Sequence, residues 1–309
     1  ATLDLALARR RATGDRRGVL LVNPGGPGAS GVDFLRDASG IFGARLRAHF
    51  DLVAWDPRGT GGSAPVDCGH DLDAFYAVDR SPVGLAEVAA NVQAARAFTE
   101  ECLRLSGDRL AGVSTAATVR DVDAVRRALG VELIDFFGFS YGTVIGARYV
   151  RAFPSHVRSM VLDGAVDAAR PYEAALRDQA VALDRALGRF FTWCAGTERC
   201  RFGRRSGVGP AAAYAALASR VERQPIRGRV GSEPRTLGPG ELDIGTAGAL
   251  YAGASGYARL GEALADAAGG SPGALLQLAD AYTGRAAGGR YSNATAGLYA
   301  VGCLDAPSP

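Results

Sequence analysis

The chain has 309 residues, of which 48% are hydrophobic, and its 35 basic and 32 acidic side chains leave a formal net charge of +3. This composition predicts a folded core, and the length fits one large α/β domain with an insertion, or about two domains. The modest charge, with no basic cluster interleaved with aromatic residues, argues against nucleic acid as a partner, and no apolar run approaches the roughly 20 residues that cross a membrane.

The first part of the chain, residues 1–167, alternates short apolar stretches with helical ones. Apolar runs at residues 19–22, 50–55, 131–137 and 157–162 predict strands, and helical periodicity covers residues 84–105, 118–129 and 143–153. The alternation indicates an α/β fold with a mostly parallel, twisted sheet and helices on both faces. Ahead of it, the arginines at positions 9–11, 16 and 17 are expected on the solvated face of an N-terminal β-hairpin.

A glycine-rich loop follows the first of these strands, in the segment Pro24-Gly25-Gly26-Pro27-Gly28, called the glycine loop below. Glycine lets a backbone approach a substrate with no Cβ in the way, and backbone N–H groups in such loops can stabilise a developing oxyanion. The alternatives are a simple turn and a phosphate-binding loop. Because no P-loop lysine follows and the prolines lack N–H donors, the oxyanion interpretation is favoured.

The next predicted strand runs into a second charged loop, WDPRGTGGS at residues 55–63. Asp56 and Arg58 are expected to form an ion pair that fixes the geometry of this loop. A catalytic role for Asp56 is disfavoured, because an acid at this position would precede the nucleophile described next.

The pentapeptide Gly138-Phe139-Ser140-Tyr141-Gly142 is the strongest indication of chemistry in the chain. It matches GxSxG and lies between a predicted strand and a predicted helix, which is the setting of a nucleophile elbow. A serine held on that sharp turn exposes its hydroxyl above the sheet. If Ser140 attacks an acyl carbon, the N–H of Tyr141 and one from the glycine loop would stabilise the oxyanion.

The second part of the chain, residues 168–309, is predicted to be mainly helical. Helices are indicated at residues 172–193, 210–223, 244–252, 257–268 and 273–282, while residues 225–240 fit either a hairpin or an ordered loop. A helical block after the sheet strands predicts a lid over the site.

Together, NPGGPG, WDPRGTGGS, GFSYG and FPSHVRSMVLDG resemble the secreted tripeptidyl aminopeptidase and prolyl iminopeptidase branch of the α/β-hydrolases of Streptomyces and other actinobacteria. The resemblance extends over essentially the whole chain, including residues 275–282 and 300–305, which are similar to the helical lid of that branch. Pro24 stands where the iminopeptidases carry His. The resemblance implies Ser140 as nucleophile, the N–H groups of Tyr141 and Gly26 as the oxyanion hole, and no cofactor or metal.

The catalytic base is not evident in the sequence. The hydrolase order is Ser, then Asp or Glu, then His, yet the three histidines are His49, His70 and His156, and the last is expected at the far edge of the sheet from Ser140. Asp163 could be the acid, although an Asp that caps a turn is favoured. We therefore expect the Asp and His of the triad in a C-terminal part of the hydrolase domain outside these residues, either in the same polypeptide or in a separate chain that stays bound.

The cysteine count is odd, with five in the chain, which implies a missing partner or a free thiol in a secreted protein. Cys194 with Cys200, and Cys68 with Cys102, are possible disulfides, which would leave Cys303 to pair with the absent part. Sequence does not fix this connectivity, and reduced, buried cysteines are the alternative.

Three functions are compatible with the sequence. The favoured one is an extracellular serine exopeptidase that binds a peptide by its free N-terminus and releases tripeptides or shorter units. The others are an esterase or amidase for small molecules and a non-catalytic binding protein with this fold. An aminopeptidase also needs an anion for the substrate ammonium, and the candidates in the lid are Glu173, Asp178, Glu233, Glu241 and Asp243.

Overall fold

A computed structural model describes residues 2–37, 40–170, 172–204 and 207–306. The chain divides into two compact units: a sheet unit of residues 1–68, 102–175 and 293–309, and a helical unit of residues 69–101 and 176–292. The sequence predicts one boundary, between residues 167 and 168, whereas each observed unit is made of more than one segment of the chain. Residues 69–101 group with the helical unit, and the segment from Asn293 returns to the sheet unit, where it packs on the glycine loop.

The described residues of the sheet unit form five strands: β1 (Leu7–Arg10), β2 (Gly18–Asn23), β3 (Phe50–Trp55), β4 (Ile134–Phe139) and β5 (Val157–Asp163). They lie in the order β1-β3-β2-β4-β5, and only β1 runs antiparallel to its neighbour. After their first residues, β2 and β3 are buried throughout, as parallel strands covered on both faces usually are. The mostly parallel sheet predicted from the sequence is confirmed.

The expected N-terminal hairpin is wrong, because β1 pairs with β3 rather than with β2. Arg9 and Arg16 each lie 2.5 Å from a carboxylate oxygen of Asp51, whose side chain is only 2% exposed. A buried carboxylate needs donors, and these arginines supply them. Part of the arginine cluster is therefore structural.

Twelve α-helices are described: α1 (Gly31–Asp37), α2 (Ala44–His49), α3 (Asp73–Ala77), α4 (Leu85–Ser106), α5 (Thr115–Ala128), α6 (Tyr141–Ala152), α7 (Tyr172–Gly196), α8 (Pro210–Arg223), α9 (Pro239–Tyr251), α10 (Tyr257–Ala268), α11 (Gly273–Thr283) and α12 (Ala294–Asp305). Val19 and Leu21 of β2 pack in one core with residues of α5 and α6. Leu20 and Val22 pack on the other face with Leu35 of α1. Alternate residues of one strand thus face helices on opposite sides of the sheet.

The helical unit is built around one core to which α7, α8, α9, α10 and α11 contribute. Residues 225–240, left open by the sequence, contain the hairpin of β6 (Ile226–Val230) and β7 (Glu233–Leu237). A second short pair joins β8 (Arg285–Ala286) to β9 (Arg290–Tyr291). The helices α8 and α10 have the bounds that periodicity predicts.

Two disulfides cross-link the chain, Cys68–Cys102 and Cys194–Cys200, which are the two pairings considered from the sequence. Cys303 is exposed and forms no disulfide within the described residues. None of the described helices is both long enough and apolar enough to cross a membrane.

Candidate active site

The site is centred on Ser140, which lies between the end of β4 and the first residue of α6. Its backbone has φ 50° and ψ −120°, a conformation that residues other than glycine rarely adopt, and the residue is exposed. Three hydrogen bonds hold this conformation. The Ser140 N–H donates to the Asp163 carbonyl at 2.9 Å, while its own carbonyl accepts from the N–H and the hydroxyl of Thr143 at 2.9 and 2.6 Å.

The glycines on either side of Ser140 are required by close packing. A Cβ on Gly138 would lie 2.5 Å from the carbonyl oxygen of Gly142, and a Cβ on Gly142 would lie 2.8 Å from that of Asn23. Strand, turn and helix therefore approach more closely than any other residue type would allow. This is the nucleophile-elbow geometry that the GxSxG motif predicts.

The glycine loop lies directly against this elbow. A Cβ on Gly25, whose φ is +94°, would lie 2.5 Å from the Phe139 carbonyl oxygen and 3.1 Å from both Ser140 Cβ and Tyr141 N. Asn23, the last residue of β2, fixes the loop by accepting the Gly25 N–H on its Oδ1 at 2.9 Å.

Two backbone N–H groups, those of Gly26 and Tyr141, lie where the glycine loop meets the elbow. Gly26 follows Gly25 directly, and Tyr141 is the first residue of α6, so its N–H has no partner within the helix. Within the described part of the chain, neither N–H has an acceptor, whereas that of Gly25 is taken by Asn23. Such a pair beside a serine hydroxyl can stabilise negative charge on an oxygen bonded to the carbon under attack.

The family model for the alpha/beta hydrolase fold matches residues 18–206, more than half of the chain. The chain belongs to the α/β-hydrolase family. The mostly parallel sheet, the elbow after β4 and the glycine loop after β2 all agree with this membership.

Several curated relatives of this chain carry names of activities. It is 37% identical over 318 residues to "Serine protease Hip1" of Mycobacterium tuberculosis, covering 98% of this chain and 59% of that protein. It is 40% identical over 314 residues to "Carboxylesterase B" of the same species, covering 99% and 59%. A "Tripeptidyl aminopeptidase" of Streptomyces lividans is 39% identical over 202 residues, covering 62% of this chain and 37% of that protein. The chain thus spans about three fifths of the two mycobacterial relatives.

Neither histidine of the sheet unit lies beside Ser140. His49 is the last residue of α2, and its Nδ1 lies 2.8 Å from the carbonyl oxygen of Asp15. His156 precedes β5, and its Nδ1 lies 2.8 Å from a carboxylate oxygen of Asp123. In the register of β4 and β5, Val157 pairs with Ile134 at the start of β4, so His156 lies at the far end of that strand from Ser140. His70 is an exposed residue of the helical unit.

Asp163 supports the elbow through its backbone. Its carbonyl oxygen accepts the Ser140 N–H, and the following Gly164 has φ +66°, as expected for a turn after a strand. The side chain itself is exposed.

The expected ion pair between Asp56 and Arg58 is wrong. The 3%-exposed Asp56 accepts the Ser30 hydroxyl at 2.7 Å and the N–H groups of Val32 and Gly62 at 3.0 and 2.8 Å. Only the Gly62 donor belongs to this loop, and the other two come from Ser30 and Val32 at the start of α1. Arg58 instead reaches α5, where the two oxygens of Asp121 accept its Nε and Nη2 at 2.7 and 2.6 Å.

The carboxylates considered as ammonium ligands have different surroundings, and all of them except Glu173 belong to the helical unit. Glu233 pairs with Arg285 at 2.6 Å, and Glu241 accepts the Gly238 N–H at 3.0 Å. Asp243 is half-buried and has no hydrogen bond or ion pair to a described residue, and burial, followed by like charges nearby, raises its pKa to about 6. Asp178 and Glu173 lie on the exposed side of α7.

The resemblance places residues 300–305 in the helical lid, whereas α12 groups with the sheet unit. Asn293, which precedes it, donates its Nδ2 to the Gly59 carbonyl at 2.9 Å and accepts the Gly61 N–H at 3.2 Å. At the other end, Asp305 accepts the Thr115 N–H at 3.0 Å. The only available signal was local, an Asn just before an apolar helical stretch, and it does not reveal these distant partners.

Proposed function

We propose that this chain carries the nucleophile and the oxyanion hole of a serine peptidase, with Ser140 as nucleophile and the N–H groups of Tyr141 and Gly26 as donors. One observation carries the proposal. An exposed serine hydroxyl stands on a backbone with φ 50°, against a glycine loop, next to two N–H groups without acceptors in the described chain. Unfavourable backbone conformations of this kind persist where function needs them and neighbouring bonds hold them.

In the proposed reaction, the Ser140 oxygen bonds to the acyl carbon of a peptide while a base takes its proton. The negative oxygen of the intermediate is held by the two N–H groups, the C–N bond then breaks, and the leaving amine takes the proton from the base. Water adds to the resulting ester, the C–O bond to Ser140 breaks, and the serine regains its proton.

The base and its acid are proposed to come from a segment outside these 309 residues, either in the same polypeptide or as a separate chain that stays bound. Strand β5 supports this proposal, since it ends the described sheet with Val161 and Leu162 50% and 37% exposed. Parallel strands are usually buried on both faces. The exposed Cys303 offers a thiol to the same segment, and the mycobacterial relatives are longer than this chain.

The proposed substrate is a peptide with a free N-terminus, from which tripeptides or shorter units are released outside the cell. Similarity to the protein named tripeptidyl aminopeptidase, over 62% of this chain, supports the specificity. The disulfides Cys68–Cys102 and Cys194–Cys200 support an extracellular location, because such bonds persist in oxidising compartments.

A second candidate is hydrolysis of small esters. It is favoured by the 40% identity, over 99% of this chain, to the protein named Carboxylesterase B. The same nucleophile and oxyanion hole would serve, because an ester carbonyl passes through the same kind of tetrahedral intermediate.

The nucleophile is tested by intact mass spectrometry of the full-length protein before and after incubation with a fluorophosphonate. We expect one covalent adduct on Ser140, its loss in Ser140→Ala, and its retention in the control Ser255→Ala, which changes an exposed serine of the helical unit. Absence of an adduct on the wild-type protein would contradict the proposal and favour a non-catalytic binding protein.

The specificity is tested with three substrates of matched side chains: a peptide amide with a free amine, its N-acetylated form, and a small ester. An aminopeptidase cleaves the first and loses most activity toward the second. Equal cleavage of both peptides would contradict exopeptidase specificity, and cleavage of the ester alone would favour the esterase. Electrophoresis under reducing and non-reducing conditions shows whether a second chain is attached through Cys303.

A further inference from the structure

Helix α12 packs against the outer side of the glycine loop. A Cβ on Gly28 would lie 2.2 Å from the carbonyl oxygen of Ala294 and 3.0 Å from the backbone nitrogen of Leu298, and a Cβ on Gly297 would lie 2.8 Å from Gly28 Cα. The inner side of the loop faces the elbow through Gly25. The segment that carries the Gly26 N–H is therefore held between the elbow and the first turn of α12.

Asn293 fixes the start of α12 to the loop of residues 55–63. Its amide group donates to the carbonyl of Gly59 and accepts from the N–H of Gly61, so both polar atoms of one side chain are engaged with one loop. A side chain bonded through both atoms holds a helix end in position and orientation better than one contact does.

The other end of α12 is tied to the elbow helix by Asp305. One carboxylate oxygen accepts the Thr115 N–H at 3.0 Å, and the other accepts Arg148 Nη1 at 3.0 Å. The Thr115 hydroxyl in turn hydrogen-bonds the hydroxyl of Tyr141. Because Tyr141 and Arg148 both belong to α6, these contacts form a closed ring of α12, α5 and α6.

From these contacts we propose that α12 is a brace for the oxyanion hole, with Asn293 and Asp305 as positioning residues. The first turn of the helix sets the glycine loop and so the Gly26 N–H. Asp305, acting through Thr115, sets α6 at its first residue and so the Tyr141 N–H. This inference rests on the proposed serine hydrolase function and adds residues that touch no reacting atom.

The expected effect follows from how strictly an oxyanion hole must be placed. Removing one donor lowers kcat by about 100- to 1,000-fold, and displacing a group by about 1 Å can cost about 100-fold. A brace that is loosened while both donors remain should cost less than removal of a donor. We expect Asp305→Ala to lower kcat for a peptide amide by about 10- to 100-fold, with KM changed by less than about twofold.

The chain offers a matched control in Asp280, whose carboxylate pairs with Arg235 at 2.9 Å and is 15% exposed, against 18% for Asp305. Asp280→Ala removes a similar ion pair in the helical unit and should leave kcat within about twofold. If both variants lose kcat equally, or if Asp305→Ala keeps the wild-type kcat, the brace is refuted.

A second pair of variants keeps the test valid if Asp305→Ala fails to fold. Thr115→Val removes only the hydroxyl that meets Tyr141, whereas Thr115→Ser retains it. We expect the valine variant to lower kcat and the rate of fluorophosphonate labelling about tenfold, and the serine variant to restore both. Equal values for the two variants would overturn the link through Thr115. Wild-type protein that is not labelled at all refutes the hydrolase function instead, so the two failures are distinguishable.

Discussion

Replacement of Gly25 by alanine tests whether the glycine loop packs closely against the elbow, beyond the cost of placing a Cβ at a positive φ. The new Cβ would lie 2.5 Å from the Phe139 carbonyl oxygen, a backbone atom that cannot swing away, and 3.1 Å from Tyr141 N. Forcing a residue with a Cβ into a positive-φ conformation costs about 1 to 2 kcal/mol, and overpacking costs about 1 to 3 kcal/mol more. We expect Gly25→Ala to lower the free energy of unfolding by about 2 to 5 kcal/mol. Because the loop must move away from the elbow, kcat should fall about 100-fold.

Gly130→Ala is the matched control, since Gly130 has φ +67° and nothing within 4 Å of a built Cβ. It carries the conformational cost alone, about 1 to 2 kcal/mol, and should leave kcat unchanged. The assays are urea unfolding and hydrolysis of a peptide amide by the full-length protein. If Gly25→Ala matches Gly130→Ala in both measurements, the loop does not pack on the elbow as described.

Three further predictions concern stability. The raised pKa of Asp243, about 6, means that the folded protein holds the carboxyl proton more tightly than the unfolded chain does. The contribution of the Asp243 carboxyl to the free energy of unfolding therefore falls as pH rises from about 4 to about 6. Asp243→Asn should therefore raise the free energy of unfolding by about 2 to 3 kcal/mol at pH 8 and much less at pH 4, and an equal change at both pH values would contradict the burial of this carboxylate. Replacing Cys68 and Cys102, 34 residues apart, by alanine should lower the free energy of unfolding by about 3 to 4 kcal/mol in chemical denaturation, and no change would mean that the bond does not form. A double-mutant cycle with Arg58→Ala and Asp121→Ala should give a coupling of about 1 to 3 kcal/mol, and a value near zero would show that the two side chains do not pair.

The backbone geometry around Ser140 could be predicted from the sequence because it depends on short stretches of chain. An apolar strand, a serine between two glycines and a following helix lie within about twenty residues, and each has its own local signal. Ser140, Tyr141 and Gly26 therefore lie at the predicted strand ends, although their roles stay predictions. The parallel sheet was also predictable, since strands buried on both faces appear as unbroken apolar runs.

The starts of two helices, α5 and α9, are predicted too late, because apolar periodicity begins after the cap. Periodicity placed the start of α5 at Thr118, yet the helix begins at Thr115, and the Ser114 hydroxyl accepts the Ala117 N–H. The start of α9 was placed five residues late, although Pro239 at the first position and Glu241 at the third form a helix-start signature. Capping residues held the missing information in both cases.

Pairing between distant residues could not be predicted. Asn293 bonds Gly61 across 232 positions, and Asp305 bonds Thr115 across 190, with no complementary pattern in the sequence to relate them. The error at Asp56 and Arg58 has the same origin, because nearness along the chain was taken for nearness in space. A buried carboxylate takes the donors that the fold brings to it.

The glycine loop shows why local motifs and distant contacts must be considered together. Gly25 and Gly28 look equivalent in the sequence, and both have φ +94°, but their surroundings differ. Gly25 is required by the elbow, while Gly28 is required by the backbone of α12, which is far away in the chain. A chain that kept NPGGPG and GFSYG without α12 would therefore keep both donors of the proposed oxyanion hole but lose the contact on one side of Gly26. Since a donor stabilises an oxyanion only when its place is set before the reaction, we propose that the motif supplies the donors and that α12 sets part of their placement.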